Sequence, residues 1–152
     1  QRFIDEATRK MTNLGINATA VRCDVKSLQE IGEMLSPEFL AVFPFNSFGN
    51  IDNPEQALKS VSEQGLDSLI LTYGTNHETT RIRREYLSNS QSGDLHIDVS
   101  PRGVAFTSGD GLCSYAYSPN TIWNMGKKAG YNKFDEKKFS KIGKAFYLRK
   151  KG

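Results

Sequence analysis

Residues 39–50 read FLAVFPFNSFGN, an unbroken apolar run followed at once by a loop with no charged residue and no cysteine. A run without alternation is the pattern of a parallel strand covered on both faces, so FLAVF predicts a buried strand. The loop is less ordinary. A plain turn calls for Asn, Ser and Gly but not for the rings of Phe45 and Phe48 left among them. Pro44 to Asn50 therefore reads as the floor of a ligand crevice. The plainer alternative keeps Asn46 and Asn50 as turn formers and the rings as core.

Outward from this stretch the chain alternates. Downstream, Asn53 and Pro54 form an N-cap and first-turn pair for a helix through Ala57, Leu58 and Val61, stopped by Gly65. SLILTY, residues 68–73, is a second buried strand. Upstream, Phe3, Ile4, Ala7, Met11 and Leu14 recur at helical spacing, with Gly15 where a left-handed cap sits. Ala18, Ala20 and Val21 suggest a short strand ending near Asp24, and SLQE, residues 27–30, matches a capping box for a helix carrying Leu28, Ile31, Met34 and Leu35. Strands alternating with helices imply a parallel, doubly wound α/β sheet, in which ligands bind beyond the carboxyl ends of the strands.

After Tyr73 the pattern changes. A charged helix, ETTRIRREYLSNSQ (residues 78–91), precedes LHIDV, GVAFT and LCSYAYS, which are separated by Pro-Arg-Gly and Gly-Asp-Gly turns and read as an antiparallel meander. Ser118 and Pro119 open another helix, through Ile122, Trp123, Met125 and Ala129 to Gly130, with Trp123 assigned to the core. YNKFDEKKF and KAFYLRK return as a hairpin, and the terminal RKKG reads as a solvated strand end.

The bulk composition narrows the function classes. The 152 residues suit one domain, and no apolar run nears the roughly 20 residues a membrane helix needs. A net charge of +3, spread over a last third interrupted by acids, is too mild for a nucleic-acid face. Cys23 and Cys113 belong to no C-x-x-C pair, which argues against zinc and a disulfide framework. The opening QRFIDEATRK is amphipathic and unlike a signal peptide, so a cytoplasmic protein is expected.

With VRCDV, FPFNSFGN, SLILTY and the closing helix and hairpin in this order, the chain resembles the later two-thirds of the class I S-adenosylmethionine-dependent methyltransferases. That resemblance implies a partial Rossmann-like doubly wound sheet with an inserted substrate cap over residues 75–117 and a C-terminal antiparallel hairpin. It implies a single domain over 1–152, N-terminally incomplete, because the family's Gly-rich cofactor loop and ribose-binding acid have no counterpart here. QRFIDEATRKM looks like the helix that follows the ribose acid. An upstream segment or a second chain would then complete the site.

The resemblance also assigns roles. Asp24 would accept from the adenine amino group of S-adenosylmethionine and the Val25 backbone would meet a ring nitrogen; the alternative makes Asp24 a helix cap, although Ser27 already offers one. Asn46 would touch cofactor or acceptor beneath the sulfonium, Gly49 would allow close backbone approach, and Phe45 or Phe48 would wall the site. Tyr73, Arg81, Arg84 and Tyr86 would face the acceptor, with His77 a candidate general base; against this, charged helices are usually solvated faces. Tyr115 and Tyr117 would line the acceptor pocket or simply cover the sheet.

Methyl transfer to an O, N or C nucleophile of a small molecule is the expected activity. Alignment and exclusion of water suffice for such a displacement, and positioning alone supplies about 7–11 kcal/mol. The rival is a noncatalytic methyltransferase-like binding module. A dinucleotide-dehydrogenase fragment accommodates the meander poorly.

Overall fold

The strands divide between two sheets. In the computed structural model, which describes residues 2–89 and 94–150 with side chains from Ile4 onward, β1 (Leu40–Phe43) and β2 (Asp67–Tyr73) run parallel and are joined by α2 (Pro54–Glu63). The C-terminal hairpin, β6 (Lys133–Lys138) and β7 (Gly143–Arg149), adds to the other side of β2 with β7 antiparallel to it, giving the order β1-β2-β7-β6. The second sheet is the antiparallel meander β3 (Leu95–Ser100), β4 (Gly103–Ser108) and β5 (Cys113–Tyr117). It is entered through α3 (His77–Ser88) and left through α4 (Pro119–Lys128). The side chain of Phe3, the helix end at Ser90 and Gln91, and the terminal Lys151 and Gly152 lie outside the described residues. Among the described residues no helix is long and apolar enough to cross a membrane.

Helix starts follow short-range chemistry. Asn53 Oδ1 accepts from Gln56 N at 3.2 Å, Asn76 Oδ1 from Thr79 N at 2.8 Å and Ser118 Oγ from Thr121 N at 3.3 Å, so each cap satisfies a backbone donor that the first turn leaves unpaired. α1 (Arg2–Asn13) ends where Gly15 turns left-handed and Ile16 N returns to Met11 O.

One face of the four-stranded sheet carries the core. Register places Phe43, Ile70 and Phe146 in one row and Ser68, Leu148 and Phe134 in the next. Leu58 and Val61 of α2 and Ile122 and Met125 of α4 close over them. Tyr131 carries a hydroxyl into this core, where Ser68 Oγ lies 2.7 Å away and Leu66 O accepts at 3.2 Å. Burial pushes its phenol up to about 12, and Asp67 adds to the shift. Tyr131→Phe is expected to lower stability by about 1–3 kcal/mol, because the buried Leu66 carbonyl loses its donor and the buried Ser68 hydroxyl its acceptor; urea unfolding measures it, and an unchanged midpoint would contradict the assignment.

Three expectations need correcting. Residues 18–24 are not a strand. They pair with no ladder, and apolar pattern alone does not hold a strand without a neighbour. Val25–Met34 is an irregular 3₁₀ segment with non-helical backbone at Ser27 and Ile31, and its cap is Asp24 rather than Ser27: Asp24 Oδ1 accepts from Lys26 N at 2.9 Å. β1 is not covered on both faces, since Leu40 and Val42 are 43% and 51% exposed. Behind them Leu69, Leu71, Ala145 and Tyr147 are only half-buried. α2 and α4 both pack on the core face, so the second helical layer of a doubly wound sheet is not found among the described residues. The architecture shown is a mixed α/β fold.

Candidate functional site

The loop after β1 turns back beneath the meander at the carboxyl ends of the parallel pair. Its pivot is Asn46, buried and left-handed at φ 58°, a conformation Asn tolerates better than other residues with a Cβ. Asn46 N donates to Leu71 O at 2.7 Å, its Nδ2 donates to Ser114 Oγ at 2.8 Å, and Thr72 Oγ1 donates to its Oδ1 at 3.2 Å. A single amide thus ties the end of β2 to β5. Gly49 makes this junction possible: a Cβ there would lie 1.8 Å from Tyr115 O. The close approach expected at Gly49 is made by the meander's backbone.

Beside this junction is a cavity of about 440 Å³ lined by Asn46, Asn50, Tyr73, Arg83, Tyr86, Leu87, Ser114 and the 111–113 turn. Arg83 dominates its electrostatics. The side chain is 2% exposed, its guanidinium lies between the rings of Tyr73 and Phe106 at 4.5 and 4.4 Å, and Nη2 donates to Ser114 O at 3.2 Å and to Ser114 Oγ at 3.1 Å. Nε and Nη1 have no partner, and no carboxylate pairs with Arg83 among the described residues. Burial pulls the guanidinium down to about 10 against the opposing effect of Tyr73, so it is still charged at neutral pH.

The residues expected at a site fall in several places. Asn46, Tyr73 and Tyr86 do meet at this cavity. Phe45 is 43% exposed and sits edge-on to Tyr73 with centroids 4.4 Å apart, beyond it Phe139 at 6.3 Å. Phe48 is core, edge-on to Phe43 and Tyr117, and so corrects the expected wall residue. Tyr115 and Tyr117 stack on each other against the core and do not line the cavity, because residues two apart on a strand share one face. Arg81 and Arg84 are exposed and line a surface depression elsewhere on α3, with Arg81 paired to Glu85. His77 is exposed at the first turn. Of the three arginines in RIRRE, the two expected to face the acceptor lie at that depression, and Arg83 is the one that lines the cavity with Asn46. Thr79, Arg83 and Leu87 are four apart, and that spacing on the inward face was the available signal.

The three residues assigned to the cofactor separate. Val25 lines a second cavity, an apolar groove of similar volume along β1 with Leu28, Phe39, Leu40, Val42, Ser47 and Ile51. Asn46 belongs to the Arg83 cavity, and Asp24 lines neither. Asp24 is exposed and linked through Lys26, whose Nζ lies 3.7 Å from Asp24 Oδ2 and 3.0 Å from Asp52 Oδ1. That bond holds the Asp52 carboxyl below its usual range.

No family model matches the sequence, and no curated protein matches it significantly. Among solved structures, the crystal structure of PH0226 protein from Pyrococcus horikoshii OT3 shares the fold with a TM-score of 0.63 at 13% sequence identity, over 99% of this chain and 70% of that one. At that identity the likeness concerns fold alone.

Proposed function

We propose that the chain acts in S-adenosylmethionine-dependent methyl transfer to a small-molecule acceptor, with the Asn46–Arg83 cavity on the acceptor side. The observation that carries this is the position of the cavity, beyond the carboxyl ends of a parallel strand pair, where open α/β sheets take their ligands. The uncharged loop from Pro44 to Asn50 separates it from the apolar groove at Val25, which suits a flat, weakly polar ring such as adenine. The sequence resemblance supplies the rest. The reading as a noncatalytic binding module draws support from Asp24, whose carboxylate is already engaged by Lys26.

Titration of the isotope-labelled 152-residue chain with S-adenosylmethionine tests the proposal. Binding is expected to be weak, near a millimolar Kd or about −4 kcal/mol, because the chain lacks the Gly-rich loop that the family resemblance calls for. The amides that move should be those of Val25, Lys26, Asn46 and Ser47. Saturable shifts confined to β6 and β7, or none at high cofactor, would refute it. Asp24→Ala is expected to cost about 1 kcal/mol of stability as a lost cap and about 1–3 kcal/mol of cofactor affinity. Loss of stability with affinity intact would leave Asp24 a cap only.

A further inference from the structure

We infer that the cavity between α3 and β5 is a binding site for an organic monocarboxylate, held by Arg83. This deepens the acceptor side proposed above and rests on that placement for its role in methyl transfer; carboxylate binding itself requires no cofactor.

A buried cation without a counter-charge is costly unless something pairs with it. Two aromatic faces and two bonds to Ser114 offset part of that cost, but Nε and Nη1 find no partner among the described residues in a side chain that is only 2% exposed. Arg83 lines the cavity, and the residues beside it are neutral: Asn46, Asn50, Tyr73, Tyr86 and Leu112. None of the lining residues is acidic, and none besides Arg83 is a Lys or Arg. One positive charge balances one negative charge on an organic body, whereas a dianionic phosphate would leave a charge uncompensated. The rings and Leu112 provide the surface for that body.

A purely structural arginine would be expected to close its hydrogen bonds on protein acceptors, as Arg149 does in part with Asp135 at the sheet edge. Arg83 instead stands between two solvated arginines, two positions after Arg81 and one before Arg84, on the helix face that turns inward. Replacing it by Met would remove a desolvated charge from an apolar sandwich, so the fold should tolerate the change while the ligand does not.

The test is titration of the full chain with sodium benzoate, benzamide and inorganic phosphate, followed through the Arg83 Nε–H resonance and the backbone amides. Benzoate is expected to shift Arg83 Nε–H and to bind at least tenfold more tightly than benzamide, its uncharged counterpart, and more tightly than phosphate. Arg83→Met should abolish benzoate binding without lowering the thermal midpoint. Asn50→Asp, a change at the exposed rim, should weaken benzoate at least threefold by placing a like charge at the mouth. Equal binding of benzoate and benzamide, an unmoved Nε–H, or unchanged affinity in Arg83→Met would overturn the inference. Phosphate binding tighter than benzoate would overturn the monocarboxylate class. If Arg83→Met fails to fold, the wild-type Nε–H response and Asn50→Asp decide: unchanged benzoate affinity in Asn50→Asp counts against the site. Benzoate binding with no response to S-adenosylmethionine would uphold this site and reject methyl transfer, so the two failures are separable.

Discussion

Gly49→Ala is expected to destabilise the fold by more than about 4 kcal/mol, or to prevent folding, the range reached only when a substitution has no room to be absorbed. The added methyl would lie 1.8 Å from Tyr115 O and 2.8 Å from Tyr115 C, with Asn46 Oδ1 at 3.2 Å. These first two atoms are backbone in β5, held by the pairing of Tyr115 with Ala105, so no rotamer change relieves the clash. Either β5 lifts from the loop, which breaks the Asn46 bond to Ser114, or the loop leaves the end of β2, which breaks the bond from Thr72. Gly109→Ala is the matched control: no atom lies within 4 Å of its Cβ, and a change within about 0.5 kcal/mol is expected. Chemical unfolding of the two variants measures the difference. A Gly49→Ala protein as stable as the parent would mean that the meander does not sit on this loop.

Phe146→Ala should cost about 3–5 kcal/mol, the usual loss for truncating a fully buried phenylalanine. Phe146 is fully buried at the centre of the sheet, registered with Ile70 on one side and Glu136 on the other, and its ring stacks with Phe134 at 5.7 Å. With total stabilities of about 5–15 kcal/mol, this one change removes a large share. Because α2 and α4 close on the same row, the cavity cannot collapse without moving both. Urea denaturation read by fluorescence of Trp123, which stacks on Phe134, reports the loss directly. A cost below about 1 kcal/mol would show that the hairpin is not part of the common core.

Much of the fold was legible because its causes are short-range. Asn53–Pro54, Ser118–Pro119, Gly15 and Gly65 act on backbone groups within a few residues, and the helices they bound fall where those signals put them, whereas the SLQE capping box is a local signal that failed. The other errors lie where the cause is distant. VRCD has the pattern of a strand but no partner to pair with, and FLAVF has the pattern of a covered strand but stands at an edge. Apolarity reports that a residue can be buried, and only a neighbour decides whether it is.

The site shows the same division more sharply. By itself the sequence determined that a polar, uncharged, ring-bearing loop follows the first parallel strand and that an arginine-rich helix follows the second. It could not determine which arginine turns inward, nor that Phe48 belongs to the core while Phe45 does not. Asn46 meets Ser114 across 68 positions, and Arg83 meets the same serine across 31. Those contacts exist because the meander folds back over the carboxyl ends of the sheet, and the fit that allows it is the missing side chain of Gly49 against a carbonyl of β5. Local pattern sets which backbone bonds each segment makes within itself. Which side chain is buried, and which buried charge is left without a partner, depends on contacts between segments far apart in the chain, and only the tertiary structure decides them.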